Sequence, residues 1–162
     1  MKSCVYPGSF DPVTSGHLDI IRRAAAVFDR VTVTVMINIS KKCAIPAEER
    51  VRLLEKCCAG LPDVRVDSWN GLLVDYMKSR GETVVIRGAR SASDFAAERQ
   101  SHEVNRLLMP GMETVQLFSR PELSMVSSSA VREAAHFGAD LSALVPGEIL
   151  RDVTRLLKSG CV

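Results

Sequence analysis

Apolar positions along this chain alternate between two spacings. Short runs rich in β-branched residues, at Ser3–Tyr6, Val31–Ile37, Val64–Val66, Thr83–Ile86 and Thr114–Phe118, read as strands. Between them, apolar residues recur three and four apart. Leu18, Ile21, Ala25 and Phe28 share one face of a helix predicted over 16–28. Further helices are predicted over 47–58 behind Pro46, over 72–80 before Gly81, from a cap at Ser91 or Ser93 to Leu108, over 127–137 and over 146–157. The second strand, VTVTVMI, is almost continuously apolar, which is the pattern of a strand covered on both faces in a parallel sheet.

Strand and helix repeat without an internal repeat, a low-complexity tract or a linker, so residues 1–162 are expected to form one domain. The predicted fold class is α/β: a doubly wound parallel five-stranded sheet of Rossmann-like type, order 3-2-1-4-5, with right-handed crossovers and helices on both faces. That order places the switch point between the first and fourth strands. Ligands of such folds bind beyond the carboxyl ends of the strands at that point.

Composition narrows the classes. An apolar fraction of 46% in 162 residues supports one buried core and argues against disorder. The net charge of +2, from 21 basic and 19 acidic residues, is too even for nucleic-acid binding by the bulk field, so any basic site is local. No apolar run approaches the ~20 residues that span a bilayer, and no signal segment precedes the first strand, so a cytoplasmic protein without membrane contact is expected. The five cysteines, Cys4, Cys43, Cys57, Cys58 and Cys161, lack metal-ligand spacing and fit reduced thiols, with Cys57 and Cys58 as small packing residues.

The candidate chemistry clusters just past strand ends. Pro7-Gly8-Ser9-Phe10-Asp11-Pro12 and Thr14-Ser15-Gly16-His17 follow the first strand, Ser40-Lys41-Lys42 the second, Arg87-Gly88-Ala89-Arg90 the fourth, and Ser127-Ser128-Ser129 opens a helix after the fifth. Gly8 and Gly16 would let backbone approach a phosphate, and Gly16-His17 opens a helix whose N-terminus attracts anions. The serines would add hydroxyl donors at a second helix start. Lys41, Arg87 and Arg90 supply positive charge, the arginines in a fork suited to phosphate. Each cluster alone has an ordinary reading: a turn, a solvated loop, a helix cap, a packing or capping histidine. Their convergence on one sheet edge favours a site for phosphorylated ligands. No protein metal site, carboxylate pair, Ser/His/Asp set or HExxH pattern is found, so hydrolytic templates gain no support.

Thr14-Ser15-Gly16-His17 fits the (H/T)-x-G-H signature of the nucleotidyltransferase superfamily. The wider set YPGSFDPVTSGHLDII, SKK, IRGAR, DFAAE, NRLLMP and VSSSAVRE resembles the bacterial phosphopantetheine adenylyltransferase family in order and spacing, from Tyr6 to about Leu157. The resemblance implies adenylyl transfer from ATP to 4′-phosphopantetheine, giving dephospho-coenzyme A and pyrophosphate. It also implies a Mg²⁺ requirement met mainly through ATP phosphates, a cytoplasmic location, a homohexamer and feedback binding by coenzyme A.

Carried over by position, the resemblance places Ser9 at both substrates, Phe10 at ATP through its backbone, and His17 at the reacting α-phosphate. Lys41, Leu73, Arg87, Asn105 and Glu133 would bind phosphopantetheine. Gly88, Ala89, Arg90 and Glu98 would bind ATP, as would Leu123, Ser124, Met125, Val126, Ser127, Ser128 and Ser129. His17, Lys41 and Arg90 would be the catalytic set. Ala97 and Leu123 depart from the aromatic residues common at their positions, so adenine contacts would differ.

An acceptor phosphate oxygen is already anionic and needs no general base. The work is positioning and charge stabilisation, with in-line attack and no covalent enzyme intermediate. Rival readings are a related transferase using nicotinate mononucleotide or glycerol phosphate, and a non-catalytic ATP-binding module. A dinucleotide oxidoreductase lacks its GxGxxG after the first strand and its acidic residue after the second.

Overall fold

A computed structural model describes residues 2–37 and 42–159. Strand and helix alternate as β1 (Ser3–Gly8), α1 (Ser15–Ala25), β2 (Arg30–Ile37), α2 (Ala47–Cys58), β3 (Val64–Asn70), α3 (Leu73–Arg80), β4 (Val84–Ala89), α4 (Ala92–Leu108), β5 (Glu113–Phe118), α5 (Ser128–His136) and α6 (Leu150–Ser159). Short 3-10 turns, Pro121–Leu123 and Gly147–Ile149, precede the last two helices. The five strands form one all-parallel sheet in the order β3-β2-β1-β4-β5, as the βα repeat predicts.

The period-2 alternation of the central strands divides the core. Cys4 and Tyr6 of β1, Val31, Val33 and Val35 of β2 and Ile86 of β4 face a layer made by α1, α2, α5 and α6. Val5 and Val85, which pair in register across β1 and β4, face the opposite way onto Val74, Tyr76 and Met77 of α3 and onto Met112. Cys4 and Cys57 are buried thiols held near 12 and Cys58 near 11, chiefly by desolvation, which keeps them protonated packing groups.

Two boundaries differ from the periodicity in ways that matter for the site. β1 and β4 run on through Pro7-Gly8 and Arg87-Gly88-Ala89, because the parallel ladder continues there: Gly8 lies opposite Val35, and Arg87 and Gly88 lie opposite Gln116 and Leu117. These residues therefore sit on the last rungs of the strands rather than past them. β3 extends through the polar Asp67-Ser68-Trp69-Asn70, paired with Thr34–Ile37 on one side only. An edge strand wets alternate residues, so an apolar run marks only its first half.

Candidate active site

The crevice at the carboxyl ends of β1 and β4 opens into a cavity of about 300 Å³. Its floor is the end of β1 and the start of α1. One wall carries Arg87, Gly88, Arg90 and Glu98 from β4 and α4, and the other carries Leu123, Val126 and Ser127–Ser129 at the start of α5.

His17 is placed by its own helix start. Thr14, extended at φ −120° and ψ 167°, caps α1: its hydroxyl accepts from the His17 amide at 3.3 Å. The Thr14 amide in turn donates to His17 Nδ1 at 3.1 Å, so the imidazole completes a reciprocal capping box. A nitrogen that accepts from an amide carries no proton, so the neutral ring bears its hydrogen on Nε2. Phe10 stands edge-on to the imidazole at 5.1 Å between ring centres, and Tyr6 edge-on to Phe10 at 5.4 Å. Burial foremost, and the Arg90 charge second, push the imidazole down from 6.5 to about 4. At neutral pH His17 is thus an uncharged N–H donor lining the cavity. Its capping role and its presence in the site are one arrangement.

This shift has a measurable consequence. The unfolded chain takes up the His17 proton near pH 6.5, whereas the folded protein does so only near pH 4. Between those values the unfolded state binds more protons, so stability falls as pH drops. Relative to a His17→Asn variant, the wild type should show its full stability above pH 6.5 and lose it progressively toward pH 4. Urea denaturation across that range checks this.

The remaining polar groups are already oriented. Arg87 donates to the Pro7 carbonyl at 2.9 Å and pairs with Glu98 at 3.1 Å. Arg90 is held by Asp94 through both its amide and its Nε, at 3.1 and 3.2 Å. Arg132 reaches from α5 to the Asp11 carbonyl and to Ser129 Oγ. Ser127 caps α5 by accepting from the Ala130 amide at 3.1 Å, and Ser128 donates its hydroxyl proton to the Pro12 carbonyl at 2.8 Å. The serine triplet is therefore not a row of three equivalent donors. Ser127 and Ser129 accept from protein groups and keep a proton for a ligand, whereas the proton of Ser128 is committed.

Gly8 has a reason the sequence did not suggest. A Cβ there would lie 2.9 Å from the Phe10 ring, so the glycine makes room for that aromatic packing while its backbone lines the cavity. Gly8→Ala should displace Phe10 and destabilise by about 1–3 kcal/mol, the usual range for overpacking, as read from the urea midpoint.

The cavity brings together Ser9, Phe10, His17, Arg87, Gly88, Arg90, Glu98, Leu123, Val126, Ser127, Ser128 and Ser129. Ala89, Leu73, Asn105, Glu133, Ser124 and Met125 do not line it. Ala89 is buried and gives its carbonyl to the Ser119 amide, Leu73 packs beside the α3 core, and Met125 and Glu133 are exposed. Lys41 lies outside the described residues. The cavity also holds Asp11 and Thr14, which the strand-end clusters include without a role of their own, and Arg132, Tyr6 and Ser119, which the sequence did not single out. Arg132 was findable: it follows Ser129 by three positions and so shares its helix face.

The cavity carries three arginines against the carboxylates Asp11 and Glu98. Asp11 accepts the Ala44 and Ile45 amides, and Glu98 pairs with Arg87. Among the described residues no group of three or more metal-ligating side chains assembles. Arginine forks and two helix starts form a donor set suited to a polyphosphate.

The cytidylyltransferase-like family model matches residues 5–134. A phosphopantetheine adenylyltransferase of Clostridium perfringens is 46% identical over 159 residues, 98% of this chain and 97% of its own length. Proteins of the same name from Rubrobacter xylanophilus and Crocosphaera subtropica are each 47% identical, covering 96% and 92% of this chain and 95% of their own lengths. The chain belongs to the phosphopantetheine adenylyltransferase family. Membership spans both cavity walls, because the aligned length reaches past α5. No helix among the described residues is long and apolar enough to cross a membrane.

Proposed function

We propose that this protein transfers the adenylyl group of ATP to 4′-phosphopantetheine, giving dephospho-coenzyme A and pyrophosphate. The observation that carries the reading is the neutral Nε2–H of His17, fixed by Thr14, in a cavity where three arginines and the starts of α1 and α5 converge.

The acceptor phosphate is its own nucleophile. Arg87 binds phosphopantetheine, and the family resemblance gives Lys41, Leu73, Asn105 and Glu133 the same role. Arg90, Gly88, Ala89, Glu98 and the segment Leu123–Ser129 bind ATP, joined by Arg132 at the phosphates. Ser9 stands between the two substrates. His17 donates to an equatorial oxygen of the α-phosphate as charge gathers there, and its neutrality spares the site a fixed proton to lose. A magnesium ion, held mainly by the ATP phosphates rather than by side chains, would supply charge neutralisation at the leaving pyrophosphate. The same reading carries a cytoplasmic homohexamer with coenzyme A as a feedback ligand at the acceptor side.

Pyrophosphate release by purified protein, with ATP and a panel of phosphopantetheine, nicotinate mononucleotide and glycerol phosphate, tests it. Release dependent on phosphopantetheine is expected. Release with another acceptor alone, or none with any, would overturn it.

A further inference from the structure

Two buried charges meet at the cavity wall, Asp11 on it and Arg50 behind it. Arg50 of α2 is 3% exposed and Asp11 is 4% exposed. They bracket one residue: Asp11 accepts the Ile45 amide at 2.8 Å and the Ala44 amide at 2.9 Å, while Arg50 Nε donates to the Ile45 carbonyl at 3.0 Å. Arg50 then reaches further, donating through Nη1 to the Ser9 carbonyl at 2.6 Å.

That carbonyl precedes a strained residue. Phe10 has φ +49°, a left-handed conformation that a bulky side chain rarely adopts. Such strain persists only where the surroundings over-determine it, and it concentrates at functional sites. Here the strained turn presents Ser9 to the cavity and sets the Phe10 ring against His17. A fully buried guanidinium is expensive where an apolar side chain of similar volume could pack.

We propose that Arg50 is a positioning residue: with Asp11 it clamps Ile45, and through the Ser9 carbonyl it holds the Ser9–Phe10 turn in the shape that aligns Ser9 and His17 with the phosphates. The role rests on the adenylyl-transfer reading above. Arg50 lines no part of the cavity and acts only through backbone.

The test is steady-state kinetics of Arg50→Met, Arg50→Lys, Asp11→Asn and the Arg50→Lys/Asp11→Asn pair, with folding followed by circular dichroism. Misplacing reacting groups by about 1 Å costs about 10²-fold. Arg50→Met should therefore lower kcat by about 10²-fold with the ATP KM changed less than about threefold. Lysine, able to reach one carbonyl but not to fork to two, should recover about tenfold of that loss. Both charges act on Ile45, so the double variant should lose clearly less than the product of the single losses. If Arg50→Met does not fold, the lysine and asparagine variants decide. Unchanged kcat in a folded Arg50→Lys, a change confined to KM, or losses that multiply in the double variant would each overturn the clamp. An inactive wild type would overturn the transfer reading itself and the role built on it.

Discussion

His17→Ala is expected to lower kcat by about 10²–10³-fold, the cost of removing one donor aimed at developing charge, while ATP affinity changes less than about threefold. Rapid-quench or pyrophosphate-coupled turnover, set beside ATP titration calorimetry, reads the two quantities separately. The alanine variant also loses the capping contact from Thr14, worth about 1 kcal/mol of helix stability. Two further variants separate these losses. Asparagine places an acceptor where Nδ1 accepts from the Thr14 amide but has nothing at the Nε2 position. Glutamine places an amide donor near Nε2 and gives up the cap. If the ring serves the reaction, glutamine recovers activity and asparagine does not. Recovery with asparagine alone would reduce His17 to a cap. Because the imidazole protonates only near pH 4, wild-type kcat should show no fall from this group between pH 8 and 5. A kcat that declines through pH 6.5 in step with a titrating His17, followed by NMR, would contradict the neutral-donor role.

The fold was legible because its central strands announce themselves. VTVTVMI of β2 is apolar on both faces, and the helices carry their own punctuation at Pro46, Ser91, Ser127 and Gly81. What remained hidden depends on distance along the chain. The extension of β3 through Asp67–Asn70 is fixed by pairing with β2, which its own composition does not report. The site was legible where chemistry and glycine mark a strand end, as at Ser9, His17, Arg87 and Arg90. It was not legible where a residue acts through another segment. Arg50 looks like one charge among many in AEERVRLLEKCC, yet it is buried against carbonyls of two loops. Asp11 reads as part of a turn, yet it gathers amides 33 and 34 positions away. Gly8 lines the cavity, and only the fold shows that the Phe10 ring also packs against it.

Arg87→Ala should reduce kcat/KM for phosphopantetheine by about 10²–10³-fold. Truncating one member of a buried charge pair costs about 2–5 kcal/mol, much of it from the charge left behind, and Arg87 and Glu98, with side chains 25% and 27% exposed, belong in the lower half of that range. The charge left behind here is Glu98, 3.1 Å from Arg87 and inside the cavity. Without the arginine, that carboxylate faces an incoming dianionic phosphate and repels it, so the loss has two sources: a missing fork and an exposed like charge. These sources can be told apart. Arg87→Lys keeps the charge but not the bidentate geometry, and it should fall between wild type and alanine. Adding Glu98→Gln to Arg87→Ala removes the repulsion and should restore acceptor use about tenfold over the single variant, even though Glu98→Gln alone weakens ATP use. Were Glu98 solely an ATP contact, the double variant would be worse than either single one. Saturation kinetics with phosphopantetheine at fixed high ATP distinguish these outcomes. The sign of that one comparison decides whether the Arg87–Glu98 pair is a unit that holds the acceptor phosphate or two independent ligands that share an edge of the cavity.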